Sequence, residues 1–175
     1  PTYTSNANLV GAEIKYYDLT FANNWQPDLE ALSQMDLNNV KIMWINYPHM
    51  PTGANVQKDT FEKLIAWAKE KDILLVNDNP YSFVLTDQPQ SLMSVPGAQE
   101  VGMELNSLSK SFNMAGWRVG MVLGNKENIN AVLKVKSNMD SGMFYGIQQG
   151  AIAALQAQES WFKNLNDIYR KRRKL

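Results

Sequence analysis

Short apolar runs rich in Val, Ile and Leu alternate along the chain with longer segments of helical period, the pattern of βα units built around a mostly parallel sheet. The runs predict strands over 13–19, 40–46, 73–77, 102–107 and 119–124. Between the second and third runs, Phe61, Leu64, Ile65 and Ala68 recur at three- and four-residue spacing. That stripe predicts an amphipathic helix over 57–70 and a right-handed crossover between parallel strands. Ile129, Val132, Leu133 and Lys136 give a second stripe with Asn125 placed to cap it, and Ile147, Ala151, Ala154 and Leu155 give a third. The last segment sets Trp161, Leu165 and Ile168 on one face and closes on Arg170-Lys171-Arg172-Arg173-Lys174. With no internal repeat, low-complexity tract or linker, the chain reads as one domain of the α/β class.

Composition removes several kinds of chemistry. The 175 residues contain no cysteine and one histidine, His49. A disulfide framework, a thiolate nucleophile, an iron–sulfur cluster and a zinc ribbon are therefore excluded, as is any multi-histidine metal site, and no metal is expected. Seventeen basic residues balance seventeen acidic ones, so nothing steers the chain towards nucleic acid, and the five terminal cations read as complements to a helix dipole. The densest apolar runs, Ile73-Leu74-Leu75-Val76 and Val119-Gly120-Met121-Val122-Leu123, are strand-sized, so no membrane partner is expected. The opening Pro-Thr-Tyr-Thr-Ser shows no basic-then-apolar leader, which sets cytoplasmic localisation as the expectation.

In doubly wound sheets, ligands bind beyond the carboxyl ends of the strands, so those ends carry the candidate chemistry. After 40–46 comes the Pro-punctuated turn Tyr47-Pro48-His49-Met50-Pro51-Thr52-Gly53. After 73–77 comes Asp78-Asn79-Pro80-Tyr81, a carboxylate and a phenol three residues apart. At the end of 102–107 comes Ser107-Leu108-Ser109-Lys110-Ser111, with Gly116-Trp117-Arg118-Val119-Gly120 a short loop later. His49 reads as a loop residue and stays outside the candidate set.

This inventory of one amine, one carboxylate, one phenol, several hydroxyls and one guanidinium suits a phosphorylated aromatic aldehyde. Lys110 can form a Schiff base, while Arg118, Ser107 and Ser109 can hold a phosphate dianion through charge-assisted hydrogen bonds. Asp78 can pair with a protonated pyridine nitrogen, and Tyr81 can hydrogen-bond a phenolate oxygen. The cofactor that fits is pyridoxal 5'-phosphate.

On Pro51-Thr52-Gly53, Asp78-x-x-Tyr81, Ser107-x-Ser109-Lys110 and Gly116-x-Arg118-x-Gly120, in that order, the sequence resembles the large domain of fold-type I pyridoxal-phosphate aminotransferases of class I/II. The resemblance runs over essentially the whole chain. It implies a three-layer α/β/α sandwich with a mostly parallel sheet in which 119–124 is antiparallel. Residues 1–158 would be a partial cofactor-binding large domain, and 159–175 the start of a helix leading to a small domain. It also implies that Lys110 holds the cofactor covalently and shuttles the substrate proton, while Asp78 keeps the ring nitrogen protonated. The activity implied is transamination between an amino acid and a 2-oxo acid. The implied assembly is a homodimer, with Ser141-Gly142-Met143-Phe144-Tyr145 as the stretch that crosses over.

Two departures from the family pattern stand out. The family carries Asn immediately before Pro-Thr-Gly, where its amide reaches the cofactor's phenolic oxygen; here Met50 stands there, and a thioether cannot donate. Either Tyr81 carries that contact alone or Asn46 approaches from the strand end. The family also has segments before and after the matched stretch, so a fragment truncated at both ends, inactive by itself, is the expectation. Rival functions are a β-lyase or decarboxylase on the same scaffold, and a non-catalytic cofactor-sensing or regulatory module whose basic tail contacts nucleic acid.

Overall fold

The computed structural model describes residues 2–57 and 59–175. Pro1, and Lys58 inside the helix predicted over 57–70, lie outside the described residues. The chain divides into two compact units, residues 1–36 and 37–175.

The first unit holds helices α1 (Thr2–Leu9) and α2 (Leu29–Gln34). Asp28 starts α2 by accepting hydrogen bonds from the backbone of Glu30 at 3.0 Å and Ala31 at 3.1 Å, which satisfies two otherwise orphaned N–H groups. The strand predicted over 13–19 does not form; among the described residues the segment belongs to no β-ladder. Propensity alone does not make a strand, because its stability comes from the neighbour it pairs with.

The second unit is built on a four-stranded sheet of β1 (Ile42–Ile45), β2 (Leu74–Asn79), β3 (Gly102–Ser107) and β4 (Gly120–Gly124), in that spatial order. β1, β2 and β3 run parallel, and β4 closes the sheet antiparallel to β3. The mostly parallel sheet and the reversed last strand are as the sequence implied. The register pairs Ile45 with Asn77, Asn77 with Glu104, and Asp78 with Leu105. Because side chains alternate, Met43, Ile45, Leu75, Asn77, Asn79, Glu104 and Asn106 share one face, and Trp44, Val76, Asp78, Leu105 and Ser107 share the other.

Helix α3 (Thr60–Lys71) forms the crossover between β1 and β2 and buries Phe61, Leu64, Ile65, Trp67 and Ala68. Full burial of a Leu or Phe side chain contributes about 1.5–3 kcal/mol, so this stripe is what ties α3 to the rest of the unit. Asp72, in the left-handed conformation, ends the helix directly before β2. Helices α4 (Ala98–Val101) and α5 (Leu108–Ser111) flank β3. Helix α6 (Lys126–Met139) follows β4 and is capped by Asn125, whose side chain accepts from Asn128 N at 2.8 Å. α7 (Tyr145–Leu155) sets Ile147, Ala151 and Ala154 against a cluster of Leu108, Met114 and Val119.

The last helix, α8 (Glu159–Arg172), is held by side-chain bonds rather than by length. Asn166 is buried, accepts from Leu85 N at 2.7 Å and donates to Phe83 O at 3.0 Å. Phe162 stacks on Phe83 with centroids 4.8 Å apart and meets Phe112 edge-on at 5.4 Å. Trp161 Nε1 donates to Ser111 O at 3.0 Å. Of the terminal cations, Arg170 is engaged inside the unit, with Asp87 at 2.6 Å and Asp167 at 3.2 Å.

Candidate active site

The candidate residues lie at the carboxyl ends of β2 and β3 and on the segments that follow them. At the end of β1, Asn46 ties two segments together: its Nδ2 donates to Asp78 O at 2.6 Å, and its Oδ1 accepts from Met50 N at 2.8 Å. The turn beyond it is closed by Gly53 N donating to His49 O at 2.7 Å. Gly53 takes φ 73°, a conformation that glycine enters without steric cost. The His49 ring nitrogen Nδ1 and the Thr52 hydroxyl lie 2.7 Å apart, and partial burial pushes the His49 pKa below its ordinary value.

β2 runs two residues further than its apolar run suggests, so Asp78 lies within the strand and not beyond it. The extension is stabilised by Asn77 and Asn79, whose side chains find partners on the opposite face. Asp78 is half-buried between them in sequence. Three residues on, the Tyr81 hydroxyl donates to Met50 Sδ at 3.4 Å, so the phenol and the thioether that replaces the family's Asn are in direct contact.

At the end of β3, Ser107 acts as the N-cap of α5, its Oγ accepting from Ser109 N at 3.1 Å. α5 carries Ser109 and Lys110. The Lys110 amine is exposed and has no hydrogen bond or ion pair among the described residues; neither has the Ser109 hydroxyl. Ser107 pairs with Gly120 across the antiparallel ladder, and Leu108 N donates to Val119 O at 3.1 Å, which brings Arg118 beside the lysine turn. Gly120 is required there, since a Cβ on it would stand 2.8 Å from Asn106 O. Arg118 sits at φ 54° and spends one guanidinium N–H on Ala115 O at 2.9 Å. A non-glycine residue held in the left-handed region costs of order 1–3 kcal/mol, and such outliers cluster at functional sites.

The strand register thus gathers Asp78, Ser107, Ser109, Lys110 and Arg118 at one edge of the sheet, with Tyr81 reaching towards the β1 turn. A separate cavity of about 370 Å³ opens between that turn and the loop after β2, with Tyr47, Ser82 and Gln90 in its wall. None of the candidate residues lines it.

One group of buried residues gave no signal as a site. Glu104, Asn77 and Asn79 are each almost completely buried. Glu104 Oε2 accepts from Asn77 Nδ2 at 3.0 Å and from Leu92 N at 2.8 Å; Oε1 accepts from Asn79 Nδ2 at 3.2 Å and Ser91 Oγ at 2.9 Å. Asn77 Oδ1 in turn accepts from Tyr47 N at 3.0 Å, and Asn79 Oδ1 from Ser82 Oγ at 2.9 Å. The signal available in the sequence was the alternation of Asn77, Asn79, Glu104 and Asn106 at period two, polar positions where a covered strand face should be apolar.

The sheet order, with three parallel strands closed by an antiparallel fourth, is that of the aminotransferase large domain. The family model for aminotransferase class I and II matches residues 1–175, and the chain belongs to that family. Members of that family use pyridoxal phosphate. LL-diaminopimelate aminotransferase of Aquifex aeolicus (strain VF5) is 41% identical over all of this chain and 46% of its own length. The enzyme of that name from Dehalococcoides mccartyi is 42% identical over 99% of this chain and 45% of its own. Among solved structures, apo-BacF from Bacillus subtilis superposes with a TM-score of 0.93 at 38% identity, covering 97% of this chain and 44% of that one. A probable N-succinyldiaminopimelate aminotransferase from Thermus thermophilus gives 0.91 at 30%, covering 98% and 46%. The chain therefore spans under half the length of the relatives it matches.

Proposed function

We propose that the complete polypeptide carrying this chain is a pyridoxal-phosphate-dependent aminotransferase that moves an amino group from an amino acid to a 2-oxo acid. The observation that carries the reading is the register that ends β2 and β3 together, setting Asp78, the Ser107–Ser109–Lys110 turn and Arg118 at one edge. The chemistry of that donor set fits the cofactor, which when bound supplies a sink for the electrons left as the substrate Cα–H bond breaks.

Each residue then has a task. Lys110 would hold the cofactor through its ε-amine, and that amine, when neutral and free, would take up the proton that leaves the substrate Cα. Asp78 keeps a proton on the pyridine nitrogen by placing a negative charge against it. Arg118, preset in its left-handed conformation, binds the phosphate with the N–H groups it does not spend on Ala115, and the hydroxyls of Ser107 and Ser109 complete that grip. Tyr81 reaches the phenolic oxygen. Asn46 braces the Asp78 strand end and the Met50 turn together and keeps a second amide N–H, so it stands beside Tyr81 as a candidate for that contact.

The names of the relatives make LL-diaminopimelate the first donor to assay. The same reading makes the protein a homodimer and places it in the cytoplasm, where free amino acids and 2-oxo acids are held. The test is to incubate the protein with pyridoxal phosphate, reduce with borohydride and locate the modified residue by mass spectrometry. Labelling is expected at Lys110 and is abolished in Lys110→Ala; labelling elsewhere, or unchanged labelling in that variant, overturns the assignment.

A further inference from the structure

We propose that Glu104 is a positioning residue for Asp78: from the covered face of the sheet it fixes the height and tilt of the carboxylate on the other face. The inference rests on the reading of Asp78 as the partner of the cofactor's ring nitrogen and deepens it.

The geometry is specific. Asn77 and Asn79 are the two sequence neighbours of Asp78, and both turn their side-chain amides to the same buried carboxylate, one to each oxygen, at 3.0 and 3.2 Å. In a strand the side chains of neighbouring residues point to opposite faces, so a bond that fixes Asn77 and one that fixes Asn79 together fix the backbone from which Asp78 projects. The carboxylate is itself immobilised from the other side by Ser91 Oγ at 2.9 Å and Leu92 N at 2.8 Å. Three of its four partners, the NH₂ ends of two amides and a backbone N–H, can only donate, so both oxygens act as acceptors. On the face where Asp78 lies, Asn46 Nδ2 grips the Asp78 carbonyl at 2.6 Å. Asp78 is thus held through its own peptide and through both neighbours.

A buried carboxylate accepting four hydrogen bonds is expensive to desolvate, and an apolar pair at the same register positions would stabilise the sheet as well or better. What an apolar pair cannot do is lock the strand at one register and one rotation. That requirement belongs to a residue that must meet a protonated ring nitrogen at hydrogen-bonding distance, where a misplacement of an ångström is costly.

The test uses the complete polypeptide loaded with pyridoxal phosphate labelled with 15N in the ring, whose chemical shift reports protonation of that nitrogen independently of turnover. Glu104→Gln puts an NH₂ group where two donors already point. It is expected to move the shift part of the way towards the unprotonated value and to weaken cofactor binding roughly tenfold, the low end of what removing an orienting group costs at metal sites. Asp78→Asn is expected to move the shift fully, and Glu104→Gln added to it to move it no further. Leu64→Ala, a core truncation in α3, controls for general loosening and should lower the melting temperature with the shift unchanged. If Glu104→Gln does not fold, Asn79→Ala keeps the carboxylate with its remaining donors and is expected to give the same partial movement.

A shift that stays put in Glu104→Gln, or in Asn79→Ala used in its place, while Asp78→Asn moves it overturns the positioning role and leaves the Asp78 reading intact. Equal movement in Leu64→Ala also overturns it. No movement in Asp78→Asn removes the reading of Asp78, and the proposal with it.

Discussion

His49 is the one imidazole in the chain, and partial burial lowers its pKa from the ordinary 6.5. The unfolded chain therefore binds a proton at a higher pH than the folded one, and stability rises with pH across that window. Expressed as an outcome, the free energy of unfolding falls as pH drops through the ordinary imidazole value and on through the lowered folded one. His49→Gln should flatten that slope while leaving stability at pH 8 close to its starting value. Urea melts at several pH values measure it, and an identical slope in the variant would refute the account. The residues proposed for the site were legible to different depths. Lys110, Asp78, Tyr81 and Arg118 stood out because each is a reactive group at a strand end. Glu104 did not: the period-two polar pattern was there to read, but it does not show that Asn77 and Asn79, 27 and 25 positions earlier, meet in one carboxylate.

Among the elements, those with a long apolar period were readable. α3, α6, α7, α8 and the four paired strands all follow from stripes of Val, Ile, Leu and Phe, and Asn125 was readable as a cap. The segment 13–19 was misread because its alternation is local while pairing is not. α2 and α5 were missed because helices of 6 and 4 residues are too short to show a period; their signals were the caps Asp28 and Ser107. α8 offers the sharpest prediction about an element. Asn166→Ala leaves Leu85 N and Phe83 O without their partner and should cost about 1–3 kcal/mol for each group that water does not reach. The urea midpoint should fall with an unchanged slope. A midpoint that does not move would mean that α8 is held by Phe162 and Leu165 without help from the amide.

Across the whole molecule, charge is balanced while apolar side chains remain at the surface. Phe144 and Tyr145 keep 75% and 70% of their area exposed, and Met139, just before them, 78%. Large apolar side chains left exposed close together in sequence are a common feature of contacts with another chain, which supports the homodimer proposed above. In the complete polypeptide, sedimentation should give twice the monomer mass at micromolar concentration, and replacing Phe144 and Tyr145 by Ser should shift it towards one; a monomer before substitution would overturn the assembly. α8 adds a connection of another kind. Trp161 grips Ser111, fifty positions earlier and next to Lys110, while Asn166 and Arg170 grip the loop that follows Tyr81. The helix is in effect a strut that bears at once on the turn after β3 and on the loop after β2. A tug on its far end would be delivered to the turn that carries Lys110, so under the role proposed for that lysine a pull on the strut would be felt at the amine without touching it.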